Sequence, residues 1–83
     1  MRSSGGDDEV LVIKRANGLR RLRERKLLTQ AELAAALAAR QASVSAWETG
    51  DARPSMASMR KLCMVLGVTP DELLAALARW EDR

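Results

Sequence analysis

The sequence predicts an all-α fold, a compact arrangement of five short helices. Three observations carry this. Helix-start signals recur along the chain, each followed by apolar residues at three- and four-residue spacing. The links between these stretches are only a few residues long. And because Trp47 and Trp80 are the only aromatic residues, the core has to be built from Leu, Val, Met and Ala, which suits helix-on-helix packing. At 83 residues, 47% hydrophobic and 30% charged, the chain makes one small domain. The domain is placed at 10–83, behind a Ser/Gly-rich tail at 1–9 that is expected to be disordered.

Val10, Leu11, Val12 and Ile13 form an apolar run too short for periodicity to assign. Read one way, the run begins the first helix. Read the other, it is a short strand with Asn17 and Gly18 as a turn. Leu19 and Leu22 mark the inner side of the first clear helix, which ends near Lys26. Thr29 then offers a hydroxyl to the first turn of the second helix, and Glu32 three residues on completes a capping box. Leu33 and Leu37, with Ala34 and Ala38 beside them, give this helix one apolar stripe. Ala39 and Arg40 break the pattern.

A third helix starts near Gln41, with Val44 and Trp47 inward and Gly50 as a left-handed cap. Residues 51–53 form a loop, Pro54 is a stop and Ser55 a cap. The fourth helix runs to about Leu66 with Met59, Leu62, Cys63 and Leu66 inside, and Gly67 closes it. Thr69, Pro70, Asp71 and Glu72 start the last helix: a cap, proline at the first position, then acids in the first turn. Leu73, Leu77 and Trp80 recur on one side of it. Leu33, Leu37, Val44, Trp47, Leu62 and Leu66 are expected in the core, Met56, Met59 and Met64 in core or rim. Cys63 reads as an inert buried thiol.

Composition removes several classes of function. The chain has no histidine, and so lacks the commonest general base and metal ligand. One cysteine makes neither an intrachain disulfide nor a zinc site of the usual kind. There is no Gly-rich phosphate loop. No enzyme, cofactor or metal is expected. No apolar run approaches the ~20 residues of a membrane span, and the acidic Asp7, Asp8 and Glu9 stand where a secretory signal would be basic. Within 83 residues no separate effector domain is expected.

Charge points toward a polyanion. Residues 10–83 carry 13 basic and 8 acidic side chains. Seven of the basic ones lie within 14–26 (Lys14, Arg15, Arg20, Arg21, Arg23, Arg25 and Lys26), opposed there only by Glu24. Such a block favours salt-sensitive binding to nucleic acid, although a solvated helix face accounts for the same pattern. The third helix keeps Gln41, Ala42, Ser43, Ser45 and Ala46 off its Val44/Trp47 side. A face of small and amide side chains can approach a base edge closely, and glutamine can exchange two hydrogen bonds with adenine.

In this order and spacing, Thr29-Gln30-Ala31-Glu32-Leu33-Ala34, Val44-Ser45, Trp47-Glu48, Gly50, Pro54-Ser55, Leu66-Gly67-Val68 and Asp71-Glu72-Leu73-Leu74 resemble the Cro/lambda-repressor-like (XRE-type) helix-turn-helix DNA-binding family. The resemblance covers roughly 19–77 and implies a five-helix lambda-repressor-like domain. By that resemblance Gln41, Ala42, Ser43 and Ala46 face base edges. Gln30, Arg40, Thr49 and Arg53, with Arg25 and Lys26 from the basic cluster, meet phosphates. Arg23 and Glu48 form an ion pair. The sequence departs from the family at Leu27 and Ala38, where glycine is usual, and at Arg40, where a small hydroxyl residue is common. The last change removes a cap worth ~1 kcal/mol and adds a guanidinium beside the groove.

The resulting expectation is a sequence-specific double-stranded DNA-binding transcriptional regulator, a repressor, with residues 41–49 in the major groove. It would be cytoplasmic, bacterial or phage-encoded by the resemblance. It would bind a palindromic operator as a homodimer with half-sites about 34 Å apart. The Leu74/Ala78/Trp80/Glu81 side of the last helix and the run at 10–13 are the dimer surfaces the sequence offers. Two other readings stay open. One is an antitoxin that keeps DNA binding and adds a toxin partner. The other is a protein-interaction adaptor that does not bind DNA.

Overall fold

The computed structural model describes residues 16–81. The tail at 1–9 and the apolar run at 10–13 lie outside the described residues. A short strand β1 (Ala16–Asn17) leads into α1 (Gly18–Arg25), followed by α2 (Gln30–Leu37), α3 (Gln41–Thr49), α4 (Met56–Leu66), α5 (Pro70–Ala78) and a short strand β2 (Trp80–Glu81). The helices have the causes the sequence supplies. Thr29 and Thr69 each accept from the backbone N–H three residues on, and Glu32 and Glu72 accept in return, so both capping boxes are closed. Ser55 caps α4.

One core runs through all five helices. Leu19, Leu22, Leu33, Ala34, Leu37, Val44, Trp47, Leu62, Leu66, Val68, Leu73 and Ala76 are buried together. Leu19, Leu33 and Leu62 are inaccessible, and burying each contributes about 1.5–3 kcal/mol. α2 packs mainly on α3, and α5 closes the core from the other side against α1 and α4.

The structure corrects the sequence reading at both ends. The turn that one of the two readings set at Asn17 and Gly18 is instead the start of α1. Asn17 is the N-cap of α1: its Oδ1 accepts from Leu19 N at 3.0 Å, and its Nδ2 donates to Trp47 O on α3 at 2.8 Å. Gly18 is required by close approach, since a Cβ there would lie 2.8 Å from Ala76 O and 2.9 Å from Ala76 Cα on α5. The last helix stops at Ala78, so Trp80 and Glu81 do not extend its face. Arg79 is extended and its carbonyl accepts from Gly18 N at 2.8 Å, which turns the chain into an antiparallel ribbon pairing Ala16 with Glu81 and Asn17 with Trp80.

Met56 and Met64 are exposed, not core or rim, and Cys63 is half-buried. α4 turns Leu62 and Leu66 inward, and Met64 stands two residues from each, on the opposite face. Leu27 and Ala38 take the left-handed conformation without glycine, at φ 59° and 55°, so both turns keep the geometry that glycine usually supplies.

Candidate nucleic-acid interface

The α2–α3 unit presents one face to solvent. Ala38 ends α2 in the left-handed region, with its N–H donated back to α2 carbonyls. Arg40 then starts α3 in extended backbone. Its carbonyl accepts from Ser43 N and Val44 N, while its side chain makes no capping bond and stays exposed. α3 is sorted by its own period. Val44, Trp47 and Glu48 are buried, Gln41 and Ala42 are exposed, and Ser43, Ser45 and Ala46 are half-buried. Small side chains at 42, 43, 45 and 46 leave the backbone of this face close to whatever meets it.

Beneath that face lies a buried carboxylate. Glu48 is 2% exposed and Arg23 8%. Arg23 Nε donates to Glu48 Oε2 at 2.6 Å and Nη2 to Oε1 at 3.2 Å, while Nη1 donates to Leu28 O at 2.7 Å. The Glu48 hydrogen bond holds the Arg23 guanidinium above its ordinary pKa, outweighing the burial that pulls it down. Gln30 Nε2 donates to the same Oε1 at 3.0 Å. Glu48 therefore ties α1, the first residue of α2 and α3 at one point. The Gln30 amide, placed by sequence as a phosphate contact, is half-buried and already shares one proton with Glu48. Its other amide proton and its carbonyl are the groups left for a ligand.

The remaining basic and hydroxyl residues are distributed unevenly. Arg53 is exposed in the α3–α4 loop. The Thr49 hydroxyl lies within hydrogen-bond distance of Ser45 O, Ala46 O and Asp51 Oδ2, at 3.2, 3.3 and 3.0 Å, so internal acceptors compete for its one proton. Arg25 is exposed at the end of α1. Lys26 Nζ lies 3.5 Å from where a Cβ on Gly67 would stand, at the α4–α5 corner and not beside α3. The charge block at 14–26 is thus divided: Arg23 is neutralised in the interior, Arg20 pairs with Glu24 at 3.1 Å, and Lys14 and Arg15 lie outside the described residues.

Sequence reasoning missed two supports of this face. Asn17 holds the C-terminal half of α3 through Trp47 O. Its signal was legible, since asparagine is a favoured N-cap. The Trp80 ring lies over Gly50, the left-handed C-cap of α3 at φ 82°, where a Cβ would stand 2.5 Å from the ring. The two residues line a cleft of about 330 Å³ together with Arg53 and Pro54. No local pattern joins positions 50 and 80.

Among the described residues no helix is long and apolar enough to cross a membrane. A family model described as helix-turn-helix matches residues 19–73. The HTH-type transcriptional activator BcrR of Enterococcus faecalis is 39% identical over 70 residues, an overlap that covers 78% of this chain and 34% of that protein. The chain thus spans about a third of that relative's length.

Proposed function

The chain belongs to the helix-turn-helix family, and on that premise we propose that it is a sequence-specific double-stranded DNA-binding transcriptional regulator with no enzymatic activity. The observation that carries this reading is the outer face of α3: Gln41 and Ala42 exposed, Ser43 and Ala46 beside them, and the opposite side locked into the core by Val44, Trp47 and Glu48. A rigid helix with small residues outward fits the major groove, where Gln41 offers paired hydrogen bonds to adenine and the alanines offer contact to a thymine methyl. Arg40 and Arg53 flank that face as phosphate contacts, and Gln30 adds one amide proton at the start of α2. With only two polar readers in the base-facing set, phosphate contacts supply much of the affinity and DNA shape part of the specificity.

One copy reads few base pairs, so two copies on a palindromic operator make the working unit. Occupying a promoter in this way represses it. The relative's name favours a second reading, activation, in which the same contacts recruit the polymerase. Selection from a random duplex pool at moderate salt tests the core of the proposal. A palindromic motif is the expected result. Binding that yields no motif and vanishes as salt rises would reduce the chain to non-specific charge attraction and turn attention to a protein partner. A promoter carrying the recovered motif then decides between repression and activation.

A further inference from the structure

The cleft beside Trp80 and Gly50 lies between the α3–α4 loop and the end of α5. Its volume, about 330 Å³, falls at the lower end of the range for small-molecule sites. Trp47 and Trp80, the chain's only aromatic residues, both line it. Pro54, Leu77 and Ala78 supply further apolar wall.

The polar groups around this cleft are donors in surplus. Arg53 lines it, is exposed, and makes no ion pair or hydrogen bond among the described residues. The Trp47 indole N–H has no acceptor among the described residues either, although Trp47 is only 7% exposed. A buried indole N–H ordinarily finds a partner. The acceptors, by contrast, are engaged. Trp47 O accepts from Asn17 Nδ2 at 2.8 Å, Asn17 Oδ1 from Leu19 N at 3.0 Å, and Ala46 O from Ala52 N at 3.3 Å. No acidic residue lines the cleft. Flat apolar walls beside an unpaired guanidinium select a planar ring that carries a carboxylate. We propose that this cleft binds a small aromatic carboxylate, with its ring against Trp47 and Trp80 and its carboxylate on Arg53, and that the ligand is an effector of DNA binding. The effector role rests on the proposed function, in which Arg53 meets a DNA phosphate. A guanidinium held by the carboxylate is withdrawn from the phosphate, so the ligand lowers DNA affinity without a separate sensor domain.

The full chain without DNA tests the site. Both indoles line the cleft, so their N–H resonances in an isotope-labelled chain report on it. The probe is naphthoate, with naphthamide as the neutral control. Naphthoate should shift both resonances saturably with a Kd of about 0.1–1 mM, as expected of a ligand of roughly a dozen heavy atoms. Naphthamide should bind about tenfold more weakly, and Arg53→Gln should weaken naphthoate by about the same factor. Ala78→Leu, at the exposed end of α5, should fill the cleft and abolish binding while helical circular dichroism stays unchanged. No saturable shift overturns the proposal. So does equal binding of naphthamide, or naphthoate binding that either variant leaves intact. Inorganic phosphate moving the same resonances at the same concentration also overturns it, by making the cleft a site for the DNA backbone. Fluorescence anisotropy on duplex DNA tests the effector role. Saturating naphthoate should weaken binding severalfold and reduce the salt slope by about 1, the signature of one lost phosphate contact. Unchanged DNA affinity with naphthoate bound removes that role. A chain that binds naphthoate but selects no DNA motif keeps the site, and the operator reading alone falls.

Discussion

Replacing Glu48 by alanine removes the one group that satisfies three donors. Arg23 loses both of its bonds to the carboxylate, at 2.6 and 3.2 Å, and Gln30 loses its partner at 3.0 Å. Arg23 is 8% exposed and keeps only Leu28 O, so a guanidinium is left buried without a counter-ion. Breaking a buried pair in this way costs about 3–5 kcal/mol. A domain of this length holds only about 4–12 kcal/mol in total, so Glu48→Ala should be partly unfolded at physiological temperature. Removing both charges is a different perturbation. Arg23→Met with Glu48→Leu leaves no stranded ion and should cost about 1 kcal/mol or less relative to the parent chain. Urea titration followed by helical circular dichroism measures all three variants. A loss below about 1 kcal/mol in Glu48→Ala, or a double variant as unstable as the single, would refute the reading of Glu48 as the carboxylate that neutralises a buried cation. The pH dependence has a defined sign. The folded-state pKa of Arg23 is raised, so its contribution is complete below the unfolded value and fades only as pH climbs through the higher folded one. The difference between parent and double variant should therefore not vary with the titration of Arg23 anywhere in the neutral range.

Ala38→Gly should stabilise the domain by about 1 kcal/mol in the same urea titration, because alanine at φ 55° bears a left-handed penalty that glycine avoids. Gly18→Ala should destabilise by about 1–3 kcal/mol and lower the thermal midpoint, since its Cβ meets the backbone of Ala76 at 2.8 Å and neither helix can yield locally. Gln41→Ala should weaken specific DNA binding by about 1–3 kcal/mol and relax one base position in a repeated pool selection. An unchanged preference removes Gln41 from the readout. Arg53→Ala should lower affinity for all duplexes alike and reduce the salt slope by about 1, measured by fluorescence anisotropy across a salt series.

The helices were legible because their signals are local. Thr29 with Glu32, and Thr69 with Pro70 and Glu72, announce helix starts within four residues of chain, and Leu62 with Leu66 fixes the inner face of α4 within one turn. The exposure of Ala42 followed from the same arithmetic, given that Val44 and Trp47 go inward, whereas Gln41, three residues before Val44, is exposed at the first position of α3. The missed supports of the α3 face join distant positions, whereas Met64 was misplaced against a local signal, two residues from both Leu62 and Leu66. Trp80 fits the i, i+3 and i+4 pattern of α5, yet the helix ends before it, because Gly18 N offers Arg79 O a partner and Gly50 leaves room for the indole. Asn17 and Gly18 resemble a turn until Trp47 O and Ala76 are brought beside them. The charge block at 14–26 counts Arg23 with its neighbours, because no one-dimensional pattern shows that Glu48 takes its charge out of the solvent-facing set. By itself the sequence determined which segments are helical and which side of each is apolar, since propensity, capping and periodicity act within a few residues. Tertiary structure decided which polar groups remain available to a ligand, since buried donors and acceptors must find partners wherever the fold provides them.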